Sequence, residues 1–155
     1  TATTLINLQD LPVDQACHYA GNIELYGIFE DWGEPKKTYY SLKAFSMMLD
    51  APERVKCSVD TTLKGINSLG GMNAQKDFAC VMISNYNDPS DSLDIQIKNI
   101  PWKTGSKVEI YLIDEKNNLN SISTYNSSGK QVVMKLKTSP LSVLLIKLMP
   151  ITNKT

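Results

Sequence analysis

Gly27 to Cys57 reads GIFEDWGEPKKTYYSLKAFSMMLDAPERVKC. Within it Tyr39, Leu42, Phe45 and Met48/Leu49 recur at helical spacing while Lys36, Lys37, Ser41 and Lys43 take the other positions, so Lys37 to Leu49 is predicted as an amphipathic helix. Pro35 near its start and Ala51-Pro52 after its end bracket it. The texture of the chain changes at Pro52, and the two sides are read separately.

After Pro52 the sequence is a series of short β-rich runs separated by turn residues, the pattern of an antiparallel sandwich. Phe78 to Tyr86 is mostly apolar and suits a central strand, which Asn87-Asp88-Pro89-Ser90 ends. Leu93-Ile95-Ile97, Val108-Ile110-Leu112 and Val132-Met134-Leu136 alternate with polar residues, so each run shows one face to a core and one to water. Asn117-Asn118 and Ser127-Ser128-Gly129 are turns flanking Leu119 to Tyr125, and Leu141 to Met149 is a last strand before Pro150. The fold expected is mainly β: an antiparallel β-sandwich of seven or eight strands, preceded by a short α/β segment holding the helix at 37–49. Residues 1–52 form the first unit, 53–150 the sandwich and 151–155 a tail.

Upstream of the helix, Ala2 to Gln9 is expected to be helical, with short strands at Val13 to Tyr19 and Leu25 to Phe29. Strand, loop and helix make one unit of an α/β repeat. One parallel strand without neighbours cannot bury itself, so residues 1–50 are expected to fold onto the sandwich or to pair with another chain, a homodimer being one outcome.

Composition excludes several classes. The 155 residues carry sixteen basic and sixteen acidic side chains, so no net charge draws the chain to nucleic acid or an anionic membrane. No apolar run is long enough for a spanning helix. One histidine and three dispersed cysteines, Cys17, Cys57 and Cys80, supply no zinc-ligand spacing, so neither metal nor cofactor is called for. The cysteines are read as small buried hydrophobes, with one disulfide and a leftover thiol as the alternative. Leu69-Gly70-Gly71-Met72-Asn73 lacks the spacing and lysine of a phosphate loop and signals backbone freedom in a strand or bulge. Trp102 is expected to anchor a loop on the sandwich. Asn126-Ser127-Ser128 and Asn153-Lys154-Thr155 fit the glycosylation triplet, a pattern common by chance.

Several stretches carry a resemblance. Leu8 to Asp14, His18-Tyr19, Tyr26 to Phe29, Gly33 to Lys36 and Tyr39 to Phe45 resemble the last barrel repeat of retaining (β/α)8-clan glycoside hydrolases of the β-xylosidase and arabinofuranosidase type. There a G-x-P-K-x-x-Y-Y-A-x-K-A-F helix leads into a β-sandwich; Ser41 stands here where that pattern has Ala. Val81 to Tyr86 and Ser142 to Leu145 resemble sandwich strands of the same enzymes.

The resemblance implies the C-terminal portion of such an enzyme: a barrel remnant and an accessory sandwich that support a catalytic barrel in the same polypeptide. Carbohydrate would be met through that parent, and an extracellular or periplasmic location would follow if the parent is secreted. The catalytic carboxylate pair of the clan would lie upstream of Thr1, so no catalytic residue is assigned. Glu24, Glu30, Asp31 and Glu34, the clustered acids, read as surface loop residues. The resemblance places His18 and Tyr19 at the end of the eighth barrel strand, where they would contact sugar, the other reading being a structural histidine and a packing tyrosine; Trp32 is read either as stacking on a sugar face or as a packing plug. The alternatives are a free-standing carbohydrate-binding module, or a structural sandwich with no sugar site.

Overall fold

The computed structural model describes residues 1–23 and 25–152; Glu24 and the triplet at 153–155 lie outside the described residues. Among them eight strands form two antiparallel sheets, as expected for a sandwich. The strands are β1 (Glu53–Val55), β2 (Ile66–Met72), β3 (Ala79–Asn85), β4 (Ser92–Ile97), β5 (Ser106–Ile113), β6 (Asn118–Ser127), β7 (Val132–Lys137) and β8 (Ser142–Pro150). Six strands make a sheet in the order β1-β2-β3-β8-β5-β6, and β4 pairs with β7 alone. Among the described residues no helix is long and apolar enough to cross a membrane.

The central strands of the six-stranded sheet are buried on both faces. On the inner face Ile66, Ile83, Val108, Ile110, Leu144, Ile146 and Leu148 meet Leu93, Val132 and Met134 of the smaller sheet. On the outer face Leu69, Cys80, Met82, Ile113, Val143 and Leu145 are covered by Ala2 and Ile6 of helix α1 (Ala2–Leu8), by Ala44 of helix α2 (Lys37–Ser46), and by Met48 and Ala51 beyond it. β8, central in the sheet, therefore needs apolar side chains at successive positions, which explains the unbroken run Val143 to Ile146. Each such buried side chain contributes about 1.5–3 kcal/mol. β4 and β7 cover a core on one face only and keep the alternation their sequences show.

Turn chemistry ends these strands. Asn85 at the end of β3 is buried, donates through Nδ2 to the Asp88 carbonyl (3.0 Å) and accepts the Asp88 amide (2.8 Å). The β5–β6 turn is built on Asp114, whose Oδ1 accepts the amides of Lys116 and Asn117 and the Asn117 side-chain amide. Trp102 anchors its loop as expected: its ring enters the inner core and its Nε1–H donates to the Lys76 carbonyl.

Four expectations are corrected. Val13 to Tyr19 and Leu25 to Phe29 are not strands; the one strand-like contact there is an isolated bridge between Phe29 and Pro35. With no neighbouring parallel strand to pair with, these residues have no ladder to join. Ser41, assigned to the polar side of α2, is buried and donates to the Lys37 carbonyl (2.9 Å), whereas Leu49 is 69% exposed in the 3-10 turn Met47–Asp50 that follows the helix. Cys17 and Cys57 are exposed and only Cys80 is buried. Gly70 and Gly71 have no positive φ; the requirement there is close approach, because a Cβ on Gly71 would lie 2.0 Å from the Ala51 carbonyl oxygen.

Candidate functional site: a cavity between the N-terminus and the α2 hairpin

Between α1 and α2 the chain runs without regular structure and is held at a few points. Glu30 and Glu34 close a turn (Glu30 N–H to Glu34 carbonyl, 2.7 Å), Gly33 adopts φ 81° within it, and the Lys36 amide donates to the Ile28 carbonyl (2.9 Å). Phe29 packs against Tyr39 with ring centroids 5.7 Å apart, tying this hairpin to the start of α2. Trp32 sits in the turn and is 92% exposed. The Lys36 ammonium lies 3.9 Å from the Glu30 carboxylate.

His18 and Tyr19 are brought to one place. An open cavity of about 870 Å³ is lined by both, together with Thr1, Cys17, Leu25, Tyr26, Gly27, Lys36 and Thr38. His18 Nε2 lies 3.0 Å from the Tyr26 carbonyl oxygen, which can only accept, so this contact places a proton on Nε2 and leaves Nδ1 as the acceptor of a neutral ring. The Tyr19 and Tyr26 rings stand edge to face at 6.3 Å. Gln15 Nε2 donates to the Cys17 sulfur (3.3 Å). Trp32 is not among the lining residues, so two of the three candidate contacts share the cavity and the third does not.

The sequence reading missed Lys36 and Tyr26 as lining residues. Both fall inside the quoted stretches; what was lacking was any signal that the loop folds back on itself. The described acids Glu30, Asp31 and Glu34 lie in or beside the hairpin turn, and none lines the cavity. Among the described residues no three His, Cys, Asp or Glu side chains approach closely enough to hold a metal ion. Of the exposed large apolar side chains among the described residues, Tyr19, Leu25 and Tyr26 line the cavity, and Leu11, Val13, Ile23 and Trp32 belong to the same stretch of chain.

The chain matches no protein-family model and no curated protein. Solved structures do share its fold. It superposes on a glucosidase from Croceicoccus marinus with a TM-score of 0.83 at 21% identity, over 97% of this chain and 41% of that one. A GH30 endoxylanase from Clostridium papyrosolvens C71 gives 0.63 at 14% identity over 83% of this chain and 31% of that one. A monomeric β-xylosidase from Caulobacter crescentus CB15 gives 0.59 at 12% identity over 82% and 33%. The fold of this chain is thus one found within glycoside hydrolases, and it spans well under half the length of each.

Proposed function

We propose that this chain is the non-catalytic accessory portion of a carbohydrate-degrading glycoside hydrolase, a β-sandwich with the last strand-and-helix unit of a catalytic barrel at its head. The observation that carries the reading is the apolar stretch from Leu11 to Trp32, which leaves Tyr19, Leu25 and Trp32 at 86%, 84% and 92% exposure. Monomeric soluble surfaces rarely gather apolar side chains in this way without a partner. The fold supports it, because the matched hydrolase chains extend far beyond the matched part. In this reading residues 11–32 lie against the rest of the barrel, and Val13 to Tyr19 gains the neighbours that a parallel strand requires.

His18 and Tyr19 then stand at the end of that strand and contact sugar, His18 through the nitrogen left free by the Tyr26 carbonyl. Trp32, on its hairpin, offers an aromatic face to a sugar ring. The two carboxylates that cleave the glycosidic bond belong to the barrel. The α1–α2 layer ties the two ends of the stretch that carries these side chains to the sandwich.

The test compares residues 1–155 with the same chain extended by the residues encoded before Thr1, using p-nitrophenyl β-xyloside, β-glucoside and α-arabinofuranoside. The extended protein is expected to hydrolyse at least one and the short chain none. His18→Ala and Tyr19→Phe in the extended protein are expected to lower kcat/KM by about 10-fold or more, the effect of one lost transition-state hydrogen bond of about 1.4 kcal/mol. Hydrolysis by the short chain, or an extended protein that is inert on all three, would sink the proposal.

A further inference from the structure

Among the described residues four that carry a side chain have a positive φ, and three of them have a reason for it. Asn99 is of a type that tolerates the left-handed region. Lys76 is fixed within its turn, its amide donating to the Asn73 carbonyl (3.0 Å) and its carbonyl accepting the Trp102 indole N–H. Leu119 packs its side chain against the outer core. Leu141, at φ 64°, gains no such return, because its side chain is 70% exposed. Glycine or asparagine would stand there with less strain.

The neighbours of Leu141 hold the strain in place. Buried Ser142 donates through Oγ to the Ser139 carbonyl (2.7 Å), and the same Oγ lies 2.8 Å from Thr138 Oγ1, so the turn before β8 is fixed. Asn85 and Ser142 are the last pair of the β3–β8 ladder. Tyr86 and Leu141 are therefore the next residues on neighbouring strands, at one end of the sheet, and Tyr86 is 63% exposed. An exposed leucine is ordinary by itself. One held outward under strain, next to an exposed tyrosine, calls for a partner outside these residues.

Helix α1 identifies the partner. The hydroxyl of Thr3, in its first turn, lies 2.7 Å from that of Ser84, two residues before Tyr86. Thr1 also lines the cavity that holds His18 and Tyr19. Any polypeptide preceding Thr1 thus joins the molecule at the end of the sheet where Tyr86 and Leu141 stand. We infer that Tyr86 and Leu141 dock on the segment immediately before Thr1, against apolar side chains of that segment. The inference rests on the reading that this chain continues upstream into a larger fold, and is independent of any hydrolysis by that fold.

Thiol labelling tests it in the two proteins compared above. In a Cys17→Ser, Cys57→Ser background, Leu141→Cys and Tyr86→Cys are expected to react readily with a maleimide in residues 1–155 and at least tenfold more slowly in the extended protein. Val133→Cys, on the exposed side of β7, is expected to react equally in both. Leu141→Asn, which relieves the strain, is expected to raise the Tm of residues 1–155 by about 2 °C or more and to lower that of the extended protein, where the leucine has a partner to lose. Equal labelling of Leu141→Cys and Tyr86→Cys in the two proteins, or a Tm raised in both by Leu141→Asn, would overturn the inference. An extended protein that protects both thiols yet cleaves no glycoside would uphold it and sink the functional reading instead.

Discussion

Cys80 is fully buried on the outer face of the six-stranded sheet, and burial pushes its thiol up to about 12, with the Lys147 ammonium offsetting only part of the effect. Cys57 is an exposed residue whose sulfur is nonetheless crowded, since a Cβ on Gly70 would lie 2.8 Å from it; burial raises its pKa, against the pull of Ser68 and Arg54. Thiolate is the reactive species, so with an aromatic disulfide reagent at pH 8 Cys17 is expected to react first, Cys57 more slowly, and Cys80 only after denaturation. Three thiols reacting at one rate would contradict this burial. Glycine size is tested at β2. A Cβ on Gly71 meets backbone, the Ala51 carbonyl, whereas one on Gly70 meets the Val55 and Cys57 side chains. Side chains can turn aside and a carbonyl beneath the helical layer cannot, so Gly71→Ala is expected to cost about 2–3 kcal/mol in urea denaturation and Gly70→Ala less. The glycine pair was visible in the sequence, but its purpose was not, because close approach depends on a residue twenty positions away.

The elements divide by how local their causes are. The strands after Pro52 were legible because alternation and turn residues lie next to one another in the chain, as at Leu93-Ile95-Ile97 and the Asn117-Asn118 turn. The start of α2 at Lys37 was legible too, but its end at Ser46 and its inward face were not. Ser41 and Ala44, small enough to let the helix settle close on the sheet, point inward, with Tyr40 and Phe45 packed beside them. Hydropathy counts large side chains as buried and cannot weigh distance of approach. The β5–β6 turn makes an element-scale prediction. Burial tends to raise the Asp114 pKa, but the hydrogen bonds from Asn117 and Lys116, with Lys37 nearby, outweigh it and hold the carboxyl below its ordinary 3.8. A depressed carboxyl contributes stability above its unfolded pKa and loses it as pH falls through the folded one. Asp114→Asn keeps the shape and removes the charge. It is expected to be less stable than the native chain at pH 6 by about 1 kcal/mol or less, given solvent screening, or about 2–4 °C in Tm for a chain of this size. The gap should close as pH falls through the lowered folded-state pKa; a gap that persists once the carboxyl is protonated would mean the charge is not its source.

Across the whole molecule the packed and unpacked parts are adjacent. α1 and α2 are fixed to the sheet by Ile6, Ala44 and Met48, and Lys37 Nζ ties α2 to the β6 turn through the Asn117 carbonyl (3.0 Å) and Asn118 Oδ1 (2.5 Å). Between those helices, Leu11, Val13, Tyr19, Ile23, Leu25, Tyr26 and Trp32 are exposed, and the described backbone has little pairing. Val13 to Tyr19, expected as a short strand, is exposed throughout and joins no ladder; in the proposed reading its neighbours are supplied by the rest of a barrel. Backbone without ladder or helix bonds opens at little cost, while core strands open only with the whole fold. Brief digestion of residues 1–155 with chymotrypsin is therefore expected to cut first after Tyr19, Tyr26 or Trp32, leaving the sandwich whole. In the polypeptide extended before Thr1 the same sites are expected to resist by tenfold or more, since pairing them into a sheet ties their opening to that of the larger fold. Equal cleavage in both proteins would mean that the apolar stretch docks on nothing upstream, even if the extended protein proved to be a glycosidase.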